Sequence, residues 1–337
     1  MAQPLTRAEL EAAISKYGPT LRLHPSEKYV NCSIEYMLSH ATLLDSKNPK
    51  ANIVHPTQLQ LPQGPKDGTR YSLSVADSAK GGDFSTAKAY INALWLKNTT
   101  YTDLQFWFFS AYNGHATARF DSLLLNKIEH QGDVDLTPLG EHWADWEYAA
   151  IRIDNASKEM IGIILSEHGQ NVLHNQASIK SDFAMVNGTH PVIYSSLNGH
   201  ANFPSTGPNF SDHRQVLGVP AGIGFDLVNS TADGGLSLDC STRYEVVTAA
   251  WLNGTPDAYV TPPWVGYMYR WGPENTTIHM ATKDLAEILQ ASLGNDVDPL
   301  LDTPCVLLAS WLLHVFVRAD INGAGAPAGQ APWIGKY

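Results

Sequence analysis

Charge is scarce in this chain and cysteine scarcer. Asp, Glu, Lys and Arg make up 16% of the 337 residues, against an apolar fraction of 44%, and there are 3 cysteines. Cys32, Cys240 and Cys305 allow at most one internal disulfide, and their spacing carries no metal motif, which excludes a disulfide-stapled scaffold and a zinc finger. Basic residues are the minority: 22 Lys and Arg against 33 Asp and Glu leave a formal net charge of −11. With no Lys/Arg cluster to offset it, nucleic acid and anionic membrane surfaces are poor partners. Long apolar runs are lacking too. The longest, 306–317, is interrupted by Ser310 and His314 and falls short of the roughly twenty residues of a membrane-spanning helix. A nucleotide loop, a dinucleotide fingerprint, a Gly-X-Ser-X-Gly elbow and a His-Glu-X-X-His helix are all missing, which removes the commonest enzyme classes and calls for no cofactor.

What the chain does have is turns and rings. With 26 Gly, 20 Pro and 10% aromatics it reads as mainly β, an antiparallel β-sandwich with an N-terminal helix and C-terminal helices. Without an internal repeat or a clear boundary, residues 1–337 read as a single domain. Thr6 and Glu9 form a capping box for a helix over 6–17, with Leu10 and Ile14 as its apolar stripe and Gly18-Pro19 as its stop. Further helices are expected at 283–293 and 304–318. Strands are expected at 70–75, 89–96, 103–112, 160–168, 191–197 and 242–249, with loops at 47–68 and 222–235. The strand over 103–112 carries Phe106, Trp107, Phe108 and Phe109 on both faces, which predicts burial on both sides.

The stretch Gly140-Glu141-His142-Trp143-Ala144-Asp145-Trp146-Glu147 concentrates three acids, a histidine and two tryptophans ahead of a strand. Alternation puts Asp145 and Glu147 on one face with Ala149, Ile151 and Ile153. Carboxylates at the end of an apolar face need cations, histidines or N–H groups, because desolvating each costs several kcal/mol. If Asp154 lies opposite Glu159, the next strand brings His168 across from Asp145. A second polar loop, Asn198-Gly199-His200, ends the strand over 191–197, and Arg270 sits between Tyr269 and Trp271. His24 reads as a structural histidine.

Eight Asn-X-Ser/Thr acceptors, at Asn31, Asn98, Asn155, Asn187, Asn209, Asn229, Asn253 and Asn275, exceed the about two or three expected by chance. They suggest a glycoprotein carrying N-linked glycans, secreted or vacuolar. The start Met1-Ala2-Gln3-Pro4-Leu5-Thr6 lacks the basic and apolar regions of a signal peptide: on the secretory reading one has been removed, and the alternative is a cytoplasmic protein.

Several pieces resemble the vacuolar protein sorting-associated protein 62 family: Leu23-His24-Pro25-Ser26-Glu27-Lys28-Tyr29, Tyr112-Asn113-Gly114, the 140–147 block, Ser166-Glu167-His168, the 194–201 segment ending in Gly199-His200-Ala201, and Tyr269-Arg270-Trp271-Gly272-Pro273. They occur in the family's order over about 20 to 275; Trp143 and the tail after 280 depart from it. The resemblance implies a mostly β fold. Some fungal members are similar to cofactor-free pericyclases of secondary metabolism that join a tropolone-derived quinone methide to a cyclic terpene by hetero-Diels–Alder cycloaddition. On that reading the substrate is a small apolar organic molecule. Tyr112, Trp143 and Trp146 line an apolar chamber, with His168, Asn198 and Arg270 as further substrate contacts. His142 and His200 exchange protons, tuned by Asp145 and Glu147. Two alternatives stand beside it: metal-assisted hydrolysis through the same acids and histidines, whose spacing fits no familiar site, and a secretory or vacuolar binding module in which they lock the core.

Overall fold

The computed structural model describes residues 3–64, 69–120, 133–167, 170–215, 224–273 and 323–337. In chain order the elements are α1 (Arg7–Tyr17), β1 (Thr20–Arg22), α2 (Ile34–Ser39), β2 (Ala41–Asp45), β3 (Ile53–Val54), β4 (Tyr71–Val75), β5 (Ala89–Leu94) and β6 (Tyr101–Asn113). Then come β7 (Thr117–Phe120), β8 (Asp133–Asp135), β9 (His142–Asp154), β10 (Met160–Glu167), β11 (Gln170–Asn175), α3 (Gln176–Asp182), β12 (Met185–Val186) and β13 (His190–Ser195). The last are β14 (Asn202–Phe203), β15 (Gly207–Gln215), β16 (Gly224–Thr231), β17 (Ser237–Asp239) and β18 (Tyr244–Ala249). The fold is mainly β, as the turn-rich, aromatic-rich composition implies.

Its centre is a six-stranded sheet in the order β11-β10-β9-β6-β5-β18, antiparallel except where β18 runs parallel to β5. Both faces are covered. Phe106, Phe108, Ala149, Ile151 and Ile153 point into one core, closed by Leu10 and Ile14 of α1 with Leu21, Ile193 and Leu238 from the β12-β13-β1-β17 sheet. Trp107, Phe109, Trp146, Tyr148 and Ala150 point into the other, closed by Met37, Leu38, Leu43, Leu73, Trp264 and Trp271. The double-sided aromatic pattern of β6 therefore reports a strand with a core on each side. Thr6 caps α1 through the expected box, and the C-terminal residues dock on the second face: Trp333 lies 5.5 Å from the Trp107 ring and its carbonyl accepts from Asn92 Nδ2 at 2.9 Å.

Three expectations need correction. The 222–235 segment has four Gly and two Asp, yet 224–231 is strand β16, paired with β15 and β7; tertiary pairing overrides the loop-like glycines. The 47–68 segment contributes the short β3 to β2. The β9–β10 register starts at Met160↔Ile153 but shifts by one residue before Gly162↔Arg152. That bulge moves the pairs from Gly162 to Leu165 one residue off the expected alignment. His168, Asn275, Cys305 and the helices expected at 283–293 and 304–318 lie outside the described residues. Cys32 and Cys240 are buried free thiols, and burial pushes the Cys32 thiol up to about 12. Among the described residues no helix is long and apolar enough to cross a membrane.

Candidate functional site

The site forms where β9 begins and β13 ends. After Ser195 the chain makes a tight reversal in which Ser196 and Ala201 close on each other (N···O 2.9 Å), and Asn198 and His200 take left-handed conformations, φ 66° and 54°. Such values are costly for a histidine and persist only where the surroundings fix them. Here the reversal turns His200 inward, under the short β14. Asn202 on β14 ties the reversal to β9 through Nδ2 and the Tyr148 carbonyl, 3.2 Å.

His200 is 3% exposed. Its Nδ1 donates to Asp145 Oδ2 at 2.9 Å, and its Nε2 lies 3.7 Å from Glu27 Oε2, an ion-pair contact longer than a hydrogen bond. Glu27 is itself held by its turn: Oε1 accepts from the Tyr29 amide and Oε2 from the Asn198 amide, both at 2.7 Å. Burial works against charge on both partners and is outweighed. It would lower the imidazole, but the carboxylates of Glu27 and Asp145 hold His200 up to about 10. It would raise the Glu27 carboxyl, but His200 and the two amides hold it down to about 2.

Glu147 behaves in the opposite way. It shares the Asp145 face, opposite Phe108 on β6, and its Oε2 is closed off from solvent without a hydrogen-bond partner. Burial, and then the Asp145 charge, raise its carboxyl well above the usual range; the Ser166 hydroxyl and His200 counter only in part.

Outside the clamp lies an aromatic rim. Tyr112 sits edge-on to Trp143 with centroids 5.1 Å apart, and Tyr29 packs 5.1 Å from Tyr112. Tyr112 donates to Glu141 Oε2 at 2.6 Å, and Lys80 Nζ caps the Tyr112 ring at 4.6 Å. Asn198 Nδ2 meets His115 Nε2 at 3.2 Å. Gly114 is required by close approach: a Cβ there would come 2.6 Å from the Tyr29 ring and 2.8 Å from Asn198 Cβ.

Of the residues expected to act together, Asp145, Glu147 and His200 meet, with Tyr112, Trp143 and Asn198 at their edge. The others do not. His142 turns its Nδ1 to the Ala144 carbonyl, 2.9 Å. Trp146 points through the sheet into the second core, 4.6 Å from Phe109 and stacked 5.3 Å from Trp264, because its neighbours at odd positions claim the acid face. Arg270 is fixed by its backbone to β4, with the Leu73 amide donating to its carbonyl, and no ion pair joins it to Asp145, Glu147 or Glu27. His24 is structural: its Nδ1 accepts from the Ser26 amide at 3.1 Å. Glu27 is the residue that sequence reasoning missed. Its signal was the His-Pro-Ser-Glu turn, but nothing in the sequence shows that this turn folds against a loop 170 positions away. Among the described residues no group of three His, Cys, Asp or Glu side chains is arranged to hold a metal ion.

The glycan acceptors divide by burial. Asn31, Asn155 and Asn229 are buried, and Nδ2 of Asn31 and of Asn209, the atom a glycan would occupy, donates inside the fold. Asn98, Asn187 and Asn253 are exposed. Peptide mapping after expression through a eukaryotic secretory pathway should find glycans at these three and none at Asn31, Asn155, Asn209 or Asn229. Occupancy at Asn31 would contradict the packing.

A doubly covered antiparallel sheet with a charged histidine sealed at one end defines a mainly β protein built around a buried acid–histidine clamp. The chain belongs to the vacuolar protein sorting-associated protein 62 family, whose profile matches residues 2–309, a longer span than the motifs alone covered. No curated protein matches it. It is similar to solved structures described as a toxin fold for microbial attack and plant defense (14% identity, 77% of this chain and 81% of that chain, TM-score 0.31). Others are NLPPya in complex with glucosamine (14%, 77% and 81%, 0.32) and necrosis and ethylene inducing protein 2 from the causal agent of cocoa's witches' broom disease (13%, 66% and 70%, 0.28). Likeness at these scores carries no argument about what this chain does.

Proposed function

We propose that this chain is a binding module of the secretory or vacuolar pathway, in which the acid–histidine clamp is a structural lock. The observation that carries the reading is the seating of His200, 3% exposed, between Asp145 at 2.9 Å and Glu27 at 3.7 Å. A general acid or base works best when its pKa is near the operating pH; an imidazolium held up to about 10 between two carboxylates, one of them held down to about 2, keeps its proton at neutral pH and is poorly matched to proton transfer. What the clamp does is join the 24–29 turn, the 196–201 reversal and the head of β9, and so fix the aromatic rim of Tyr29, Tyr112 and Trp143. Glu27→Gln tests it. Removing one partner of a buried ion pair should cost about 3 kcal/mol in urea unfolding, together with loss of rim order in the amide spectrum. An unchanged unfolding midpoint overturns the lock.

A second reading is favoured by Glu147 alone. A carboxyl that keeps its proton at neutral pH is suited to donate it, as a cofactor-free cyclisation of a quinone-methide precursor requires. Because its folded-state carboxyl is neutral where the unfolded one ionises, Glu147 subtracts stability increasingly as pH rises above about 4.5. Glu147→Gln should therefore match the parent at pH 4, exceed it in urea at pH 8, and abolish a protonated-carboxyl band in the infrared spectrum at pH 7. A variant that unfolds more easily at pH 8 shows that the group is ionised, and ends the proton-donor reading.

A further inference from the structure

Among the described residues there is a cavity away from the acids. It lies across the central sheet, between α2 and the 55–59 segment, with a volume of about 490 Å³, within the range of small-molecule sites. Its floor is apolar: Leu38, which belongs to the same core as Trp146, with Pro56 and Pro263. Leu59 stands at its edge 85% exposed, an apolar side chain with no cover. The lining also carries Ser39, His55, Thr57 and Gln58, and its one carboxylate is Glu35, on the first turn of α2. Its Oε1 accepts from Gln58 Nε2; no Lys or Arg among the described residues pairs with it, so Oε2 is left without a cation.

An apolar trough ending in a carboxylate with a spare oxygen, on a chain of net charge −11, selects a positive head on an oily body. We propose that this groove binds an organic ammonium ion, its ammonium on Glu35 and its hydrocarbon or aryl part between Leu38, Pro56 and Leu59. The proposal names the ligand class of the binding module and rests on that reading. Its site is separated from the clamp by the thickness of the sheet, so the two fail in different experiments: Glu27→Gln reports on the lock, and the groove variants do not touch it.

The experiment is titration of the full chain with 2-phenylethylammonium, 2-phenylethanol and 3-phenylpropionate by saturation-transfer NMR, repeated with Glu35→Gln and Leu59→Ser. Both substituted side chains are exposed, so the fold should be retained. The ammonium should bind roughly threefold to fivefold tighter than the alcohol, as one exposed ion pair allows, and the carboxylate most weakly. Glu35→Gln should erase the difference between ammonium and alcohol, and Leu59→Ser should weaken both. Equal binding of all three probes, or binding indifferent to both substitutions, overturns the proposal. So does a dimer in sedimentation that Leu59→Ser converts to monomer, since a second copy would then own the groove.

Discussion

His200→Asn is expected to destabilise the fold by about 3–5 kcal/mol at pH 6, the cost of leaving buried charges uncompensated. Asparagine is chosen because it accepts the left-handed backbone that this position requires (φ 54°), so the loss reports on charge and not on strain. Without the imidazolium, the carboxylates of Glu27 and Asp145 lose the cation they share. The pH dependence follows from the two shifts. His200 is held up to about 10 from 6.5, so its contribution is complete below pH 6.5 and is lost as pH rises toward 10. Glu27 is held down to about 2 from 4.5, so its contribution is complete above pH 4.5 and is lost as pH falls toward 2. The two shifts describe one contact from either side and are not summed. Urea unfolding of the parent across pH 3 to 9 should therefore show greatest clamp stabilisation between about 4.5 and 6.5. His200→Asn should flatten the alkaline limb. A variant with an unchanged unfolding midpoint would show that the clamp does not hold the fold.

Trp146→Ala should be comparably damaging, by about 3–5 kcal/mol, and for a different reason. The ring is 4% exposed and lies among Phe109 at 4.6 Å, Trp264 at 5.3 Å, Trp271 at 5.5 Å and Tyr90 at 6.0 Å. Truncation opens a cavity at the centre of that aromatic cluster, and edge-to-face contacts are lost beyond the area term. Trp146→Phe should recover much of the loss in urea. The chamber reading predicts the reverse pattern, with ligand binding lost and stability kept, so the pair of variants distinguishes a core ring from a pocket wall.

The groove fits with this division of labour. If Trp146, Trp264 and the α2 side of the sheet are the rigid floor, a ligand lying on Leu38 and Pro263 meets a surface already ordered, and binding costs little conformational entropy. The clamp, on the other face, maintains the shape of the rim and takes no direct part. Glu147 is the acid beside the clamp that makes no contact with His200 of the kind Asp145 and Glu27 make.

Local rules carried much of the architecture. The Thr6/Glu9 box placed α1, because capping involves atoms only three residues apart. Alternation along β6 and β9 identified which side chains face each core and put Asp145 and Glu147 on the Ile151 face, because a strand's period of two is a property of its own backbone. The tertiary structure alone decided the rest. A single bulge near Gly162 shifted the β9–β10 register by one residue, a Gly-punctuated segment was recruited as β16, and Glu27 was brought to His200 from 173 positions away. Those outcomes depend on long-range packing and burial, which set both which charges meet and whether they keep their protons, and no local pattern in the chain encodes that environment.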